Sequence, residues 1–246
     1  GLFILLYDLM ARRWDHQSHS PQEMLELYPP MLNEGLLGGF SFIDARMDDA
    51  RLLLRIIREA VEDGGVAINY ARVQGLLHQH NGSVCGVQLL DTSIPDGKTY
   101  EVRASVVINA SGPWSDEIRS HVGAVAKIRK QRGSHLVLPR QKLPLSDTAT
   151  MLLHPVDGRT MFCFPWEGVS IIGTTDLDHE SQYESIQEEP FASEAEIAYM
   201  LEALHFTFPS IDITHSDVIF TFSGLRPIIS TGKSNPSDES RVHRAW

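Results

Sequence analysis

Three features of the chain could do chemistry: a turn of small residues, a histidine and an arginine. Val106-Val107-Ile108-Asn109-Ala110-Ser111-Gly112-Pro113-Trp114 starts as an apolar, β-branched run and stops in a turn almost without side-chain bulk. The run predicts a buried strand, and Pro113 forbids its continuation. Ala110, Ser111 and Gly112 would let backbone approach a ligand, which in open α/β sheets sits at the carboxyl ends of strands. An ordinary turn after a buried strand is the plain alternative. His135 follows Gly133-Ser134 and opens a predicted strand, Leu136-Val137-Leu138. An imidazole titrates near neutrality and can act as a base, although a lone histidine opening a strand is more often structural. Arg226 lies between the predicted strand Val218–Phe222 and Pro227, in a predicted turn that can aim it at a pocket. Its planar fork can donate bidentately to an anion, and a structural arginine tying down a loop is the plain alternative. Lys127, Arg129, Lys130, Arg132 and Arg140 surround His135; for most of them a solvated loop is the better reading.

The elements that must position these residues are legible from periodicity and caps. Ser20, Pro21 and Glu23 predict a short capped helix over 21–27, closed by Pro29-Pro30. Gly38-Gly39 opens a predicted alternating strand over 40–45. Asp48-Asp49 then cap the clearest helix, with Leu52, Leu53, Ile56, Ile57, Ala60 and Val61 at helical spacing and Gly64-Gly65 at its end. Val66 to Tyr70 is a predicted strand. Turn signals at Asn81-Gly82 and Pro95-Asp96-Gly97 divide residues 71–104 into a three-stranded antiparallel meander. It leads into the Val106–Ile108 strand and a short helix over 115–120. Strands are predicted over 149–153, 160–164 and 169–172, the last ended by Gly173-Thr174-Thr175-Asp176, read as structural. Ser193 and Glu196 form a capping box for a helix with a buried stripe of Ile197, Met200, Leu201 and Leu204. The tail from Gly232 to Ser240 reads as polar and mobile.

With 246 residues the chain is long enough for two lobes. A net charge of −11 disfavours generic nucleic-acid binding. Cys85 and Cys163 flank no metal-ligand spacing, so no metal site is expected and a reducing compartment is the default. No apolar run is long enough to span a bilayer. The apolar start at Gly1 and the strand-like close at Arg241–Trp246 suggest an internal piece of a longer chain.

Five blocks in order carry a family resemblance. They are Gly39 to Leu54 with Asp44-Ala45-Arg46-Met47-Asp48-Asp49-Ala50-Arg51-Leu52; Val107 to Trp114; Arg132-Gly133-Ser134-His135-Leu136-Val137-Leu138-Pro139-Arg140; Phe164-Pro165-Trp166 with Ser170 to Asp176; and Phe222-Ser223-Gly224-Leu225-Arg226-Pro227. Together they resemble the FAD-dependent glycerol-3-phosphate dehydrogenases, within the wider family of D-amino-acid-oxidase-like flavoproteins. The resemblance implies an α+β or α/β fold, with a partial, Rossmann-like FAD-binding domain carrying the meander and a mixed-sheet substrate domain. The expected division is a helical lead over 1–38, the partial FAD-binding domain over 39–118, the substrate domain over 119–231, and a polar tail over 232–246 running into an interrupted strand. The family's amino-terminal GxGxxG turn, which grips the FAD pyrophosphate, is absent. So is its Gly-Gly-Lys-Leu-Thr-Thr segment, which closes over the flavin and contributes a lysine.

The activity implied is oxidation of sn-glycerol 3-phosphate to dihydroxyacetone phosphate, with FAD passing electrons to a membrane quinone. By the same resemblance His135 is the catalytic base or a phosphate ligand, Arg226 binds substrate, Ala110, Ser111 and Gly112 contact flavin through backbone, and Val73 contacts adenine. The parent enzyme would lie peripherally on the inner, cytoplasmic face of the cell membrane, with a homodimer left open. The chain by itself is expected to be inactive and to hold FAD weakly or not at all. Three alternatives stand beside this reading: a glycerol-phosphate oxidase, an amine or amino-acid oxidase of the same superfamily, and a non-catalytic binding module.

Overall fold

A computed structural model describes residues 6, 9–10, 12, 14–143, 146–179, 189–240 and 242. The expected helix or buried segment over 1–9 and the interrupted strand over 241–246 fall mostly outside the described residues. The chain divides into two compact units, residues 1–43 with 129–246, and residues 44–128. The sequence reading sets its boundaries after residues 38, 118 and 231.

The first unit begins with strand β1 (Gln17–His19), helix α1 (Pro21–Leu27) and strand β2 (Gly39–Ser41). The Ser20 capping box forms: the Glu23 amide donates to Ser20 Oγ at 3.3 Å, and the Ser20 amide donates to the Glu23 carboxylate at 2.7 Å. The strand predicted over 40–45 is shorter than expected. It pairs only with the three-residue β1, His19 opposite Gly39, and a strand extends no further than its partner does.

The second unit opens with helix α2 (Asp49–Glu62), capped as predicted by the Asp48 carboxylate, which accepts from the Arg51 amide at 3.0 Å. Gly64 follows at φ +95°, a conformation an L side chain resists. Strands β3 (Ala71–His78), β4 (Val84–Asp91) and β5 (Thr99–Arg103) form the expected meander, in the order β3-β4-β5. A single 3-10 turn (Gly112–Trp114) leads to helix α3 (Ser115–Ser120). Asp116 ties this end down by accepting from the Lys127 amide at 2.7 Å and the Ile128 amide at 2.6 Å.

Two predicted strands of this unit are not formed. Val66–Tyr70 and Val106–Ile108 are irregular, and Val66, Ile68, Val106 and Ile108 are 85%, 70%, 71% and 84% exposed. Propensity alone does not make a strand; its amides and carbonyls need a neighbouring strand. These runs have none among the described residues.

The first unit resumes at strand β6 (Ile128–Pro139), followed by β7 (Thr150–Leu153), β8 (Thr160–Trp166), β9 (Val169–Gly173), β10 (Leu177–Asp178), helix α4 (Glu194–Thr207) and β11 (Phe220–Ile229). They build a six-stranded sheet in the order β10-β6-β9-β8-β7, with β11 also paired to β6. The pairings of β6 with β9 and β10, and of β8 with β7 and β9, are antiparallel. Leu136, Leu138, Leu152, Met161, Cys163 and Ile172 point from the sheet into one core. Helix α4 covers it with Ile197, Met200, Leu201 and Leu204, the stripe predicted for it, and Tyr28, the residue after α1, packs into the same core. A fully buried leucine such as Leu204 contributes about 2–3 kcal/mol of apolar transfer.

Two strands run further than predicted, and both corrections bear on function. Gly133-Ser134-His135 does not introduce β6; it lies within it. Ser223-Gly224-Leu225-Arg226-Pro227 is not a turn but the middle of β11, whose described pairing is with β6; an edge strand tolerates the donor that Pro227 lacks. The tail is also better held than predicted. The buried Glu239 carboxylate accepts from the Thr231 amide at 3.0 Å and the Lys233 amide at 3.2 Å, and Gln131 donates to the Pro236 carbonyl.

Candidate substrate site on strands β6 and β11

His135 and Arg226 sit on two paired strands of the first unit. The imidazole stacks on Phe222, with ring centroids 4.6 Å apart and an interplanar angle of 6°. On its other side β9 places Gly173 directly opposite His135. A Cβ at Gly173 would lie 2.3 Å from His135 Cδ2, so the ring's seat exists only because residue 173 has no side chain. His135 is half-buried.

Arg226 lies on the same stretch of sheet. Its Nη1 is 3.2 Å from Asp176 Oδ1, and its Nη2 would be 2.9 Å from a Cβ at Gly133. The guanidinium therefore crosses the β6 backbone where that backbone is bare. A third of the side chain stays exposed, which leaves it reachable by an anion from solvent.

Below this pair lies a buried polar network. Glu196, the third residue of α4, closes its capping box by accepting from the Ser193 amide at 2.9 Å. The same carboxylate accepts from Arg132 Nη2 at 2.9 Å and from the Ser134 and Thr175 hydroxyls at 2.8 Å each. Thr175 Oγ1 in turn accepts from the Ser134 amide at 2.9 Å, and the Ser134 and Ser223 hydroxyls are 2.7 Å apart. Burial pushes the Glu196 carboxyl up, but the Ser193, Thr175, Arg132 and Ser134 donors outweigh it and bring it down to about 2. The charged form is thus held at every physiological pH, and it fixes the Arg132-to-Ser134 stretch that leads into His135.

Of the basic cluster around His135, Lys127 lies exposed in a loop as expected, whereas the three arginines are paired. Arg132 is consumed by Glu196. Arg129 is bidentate to Asp178 at 2.6 and 2.7 Å, and also donates to the Lys233 and Ser234 carbonyls. Arg140 pairs with Asp147 at 2.8 Å. Outside this neighbourhood Cys163 is buried, and desolvation pushes its thiol up to about 12. His154 stacks on Tyr199 at 3.7 Å as a packing residue. Among the described residues no group of three or more metal-ligating side chains occurs, and no helix is long and apolar enough to cross a membrane.

The expected flavin contacts belong to the second unit. Asn109 orders the turn by accepting from the Ser111 amide at 3.2 Å and the Ser111 hydroxyl at 2.7 Å, and by donating to the Ser115 carbonyl at 2.9 Å. Ala110 and Ser111 are exposed. Gly112 has φ +57°, with open space where a Cβ would stand. An ordered, exposed turn without bulk fits a contact made to FAD through backbone. Val73 is half-buried on β3 opposite Leu89.

The architecture and these motifs place the chain in a family: residues 4–243 match the FAD dependent oxidoreductase family, and the chain belongs to it. FAD is accordingly the family's cofactor. Among its relatives, the aerobic glycerol-3-phosphate dehydrogenase of Staphylococcus epidermidis is 35% identical over 231 residues, which are 92% of this chain and 40% of that protein. The Staphylococcus aureus protein of the same name is 34% identical over 229 residues. The chain thus spans about two fifths of the length of the relatives it matches. In structure it is similar to the FAD-complexed glycerol-3-phosphate dehydrogenase of Bacillus halodurans, with a TM-score of 0.79 at 34% identity, over 87% of this chain and 42% of that one. The glycine oxidase of Geobacillus kaustophilus shares the fold alone, at TM-score 0.61 and 20% identity over 89% of this chain and 52% of that one.

Sequence reasoning missed the two buried carboxylates that pair with Arg226 and Arg132. Asp176 was assigned to a strand end and Glu196 to a helix cap, and both descriptions hold. Their second partners, Arg226 and Arg132, are 50 and 64 residues away in the chain, and no local pattern reports such a pairing.

Proposed function

We propose that this chain carries the substrate site of an FAD-dependent enzyme that oxidises sn-glycerol 3-phosphate to dihydroxyacetone phosphate. The observation that supports it most is the placement of Arg226 and His135 on paired strands, each over a glycine that makes its seat. Arg226 would hold the phosphate, since its partly exposed guanidinium has the planar donor geometry that suits a phosphate. His135 would take the proton from the secondary hydroxyl, with stacking on Phe222 fixing the ring plane. FAD, when bound, supplies the acceptor for the hydride, and Ala110, Ser111 and Gly112 would contact it through backbone, with Val73 towards the adenine. The 34–35% identities to glycerol-3-phosphate dehydrogenases support this substrate over an amine. Electrons would pass to a membrane quinone, with the enzyme peripheral on the cytoplasmic face.

The test is anaerobic flavin bleaching in the FAD-loaded full-length parent enzyme. Glycerol 3-phosphate is expected to bleach it, and glycine or sarcosine to leave it unchanged. Arg226→Ala should raise KM, and His135→Ala should lower kcat, each by a factor of about 100. Bleaching by the amines alone would overturn the reading. Reoxidation by a quinone analogue but not by oxygen separates the dehydrogenase from an oxidase, and sedimentation reads the homodimer.

A further inference from the structure

Asp176 follows the end of β9, and its side chain is fully buried. A buried carboxylate is costly unless every lone pair is met, and here the partners are unusual. Oδ1 meets Arg226 Nη1 at 3.2 Å. Oδ2 meets Arg159 Nη2 at 2.9 Å and accepts from the Ser237 hydroxyl at 2.8 Å. Two guanidiniums thus share one carboxylate. Both arginines are partly exposed, Arg226 by 33% and Arg159 by 25% of the side chain, while the carboxylate between them is not. Ser237 comes from the tail, so the segment pinned by Glu239 also braces this carboxylate.

We infer that Asp176 is a positioning residue for anion recognition: it holds the Arg226 guanidinium in one orientation over Gly133, so that the ordering cost is met before the substrate's phosphate arrives. A free arginine must lose rotamer freedom on binding, and a clamped one does not. Asp176 touches neither phosphate nor reacting carbon; it acts through Arg226. The inference rests on the proposed role of Arg226 in binding the phosphate.

A double-mutant cycle in the FAD-loaded full-length parent enzyme tests it, with Asp176→Asn, Arg226→Ala and the double variant. Asp176→Asn is expected to raise KM for glycerol 3-phosphate about 10-fold with kcat within about 2-fold of wild type. In the Arg226→Ala background the same change is expected to add less than about 2-fold. If Asp176→Asn does not fold, as read by thermal melting, Ser237→Ala removes one donor to the carboxylate. It should then raise KM about 3-fold, again only when Arg226 is present. Equal effects in both backgrounds, a fall confined to kcat, or an unchanged KM would overturn the inference while leaving Arg226 as a phosphate ligand. An unchanged KM in Arg226→Ala itself would instead overturn the underlying reading of the site.

Discussion

The Glu196 network makes a prediction whose size can be worked from the structure. Its carboxyl lies at about 2 in the folded chain, against an ordinary value of 4.5. Each pH unit of displacement corresponds to about 1.4 kcal/mol, so ionised Glu196 contributes about 3 kcal/mol to folding. The folded value is the lower one. The contribution is therefore fully present above about pH 4.5 and is lost as pH falls towards about 2. Glu196→Gln keeps the shape but removes the charge, leaving Arg132 buried beside a neutral amide. Urea unfolding should show the variant about 3 kcal/mol less stable at pH 7. The gap should narrow steadily below about pH 4.5, because the unfolded chain's carboxyl then takes up a proton while the folded one does so only near 2. A gap below about 1 kcal/mol at pH 7, or one that stays constant down to pH 3, would refute the assignment of the low carboxyl to this network.

Three other perturbations have defined outcomes. Gly173→Ala sets a methyl 2.3 Å from His135 Cδ2, so the ring must leave its stack on Phe222; thermal melting should register a loss of about 1–3 kcal/mol. Leu204→Ala opens the core beneath α4 and should cost about 2–5 kcal/mol in urea unfolding. Cys163, buried with its thiol pushed up to about 12, should resist iodoacetamide at pH 8 in the native state and react once unfolded, as peptide mass mapping would show.

Much of the fold was legible because its signals are local. Ser20 with Glu23, Asp48, and Ser193 with Glu196 each announce a helix within four residues, and each cap forms. The meander was legible from its turns. What failed depends on partners distant in the chain. The strand Val106–Ile108 has the right residues and no described neighbour. Strands β6 and β11 continue through Gly-Ser-His and Arg-Pro because they pair with each other. For the site, residue type and family resemblance singled out His135 and Arg226. Their two glycine seats and the carboxylates Asp176 and Glu196 emerged only from the tertiary structure. Local propensity speaks for a cap or a turn; it is silent about which side chains meet across a sheet.

The first unit is discontinuous: residues 1–43 and 129–246 fold together, with all of residues 44–128 between them. The Leu32 amide donates to the Thr207 carbonyl at 2.9 Å, and Tyr28 reaches the carbonyl of Ala149. Docking α1 on α4 thus closes a loop that contains the whole second unit. For a flexible intervening chain of that length the closure entropy is about 4 kcal/mol. Contacts of such long sequence separation are slow to form, so α1 docking belongs late in the order of assembly. The lead segment would be the final piece to attach and, under stress, the first to come away.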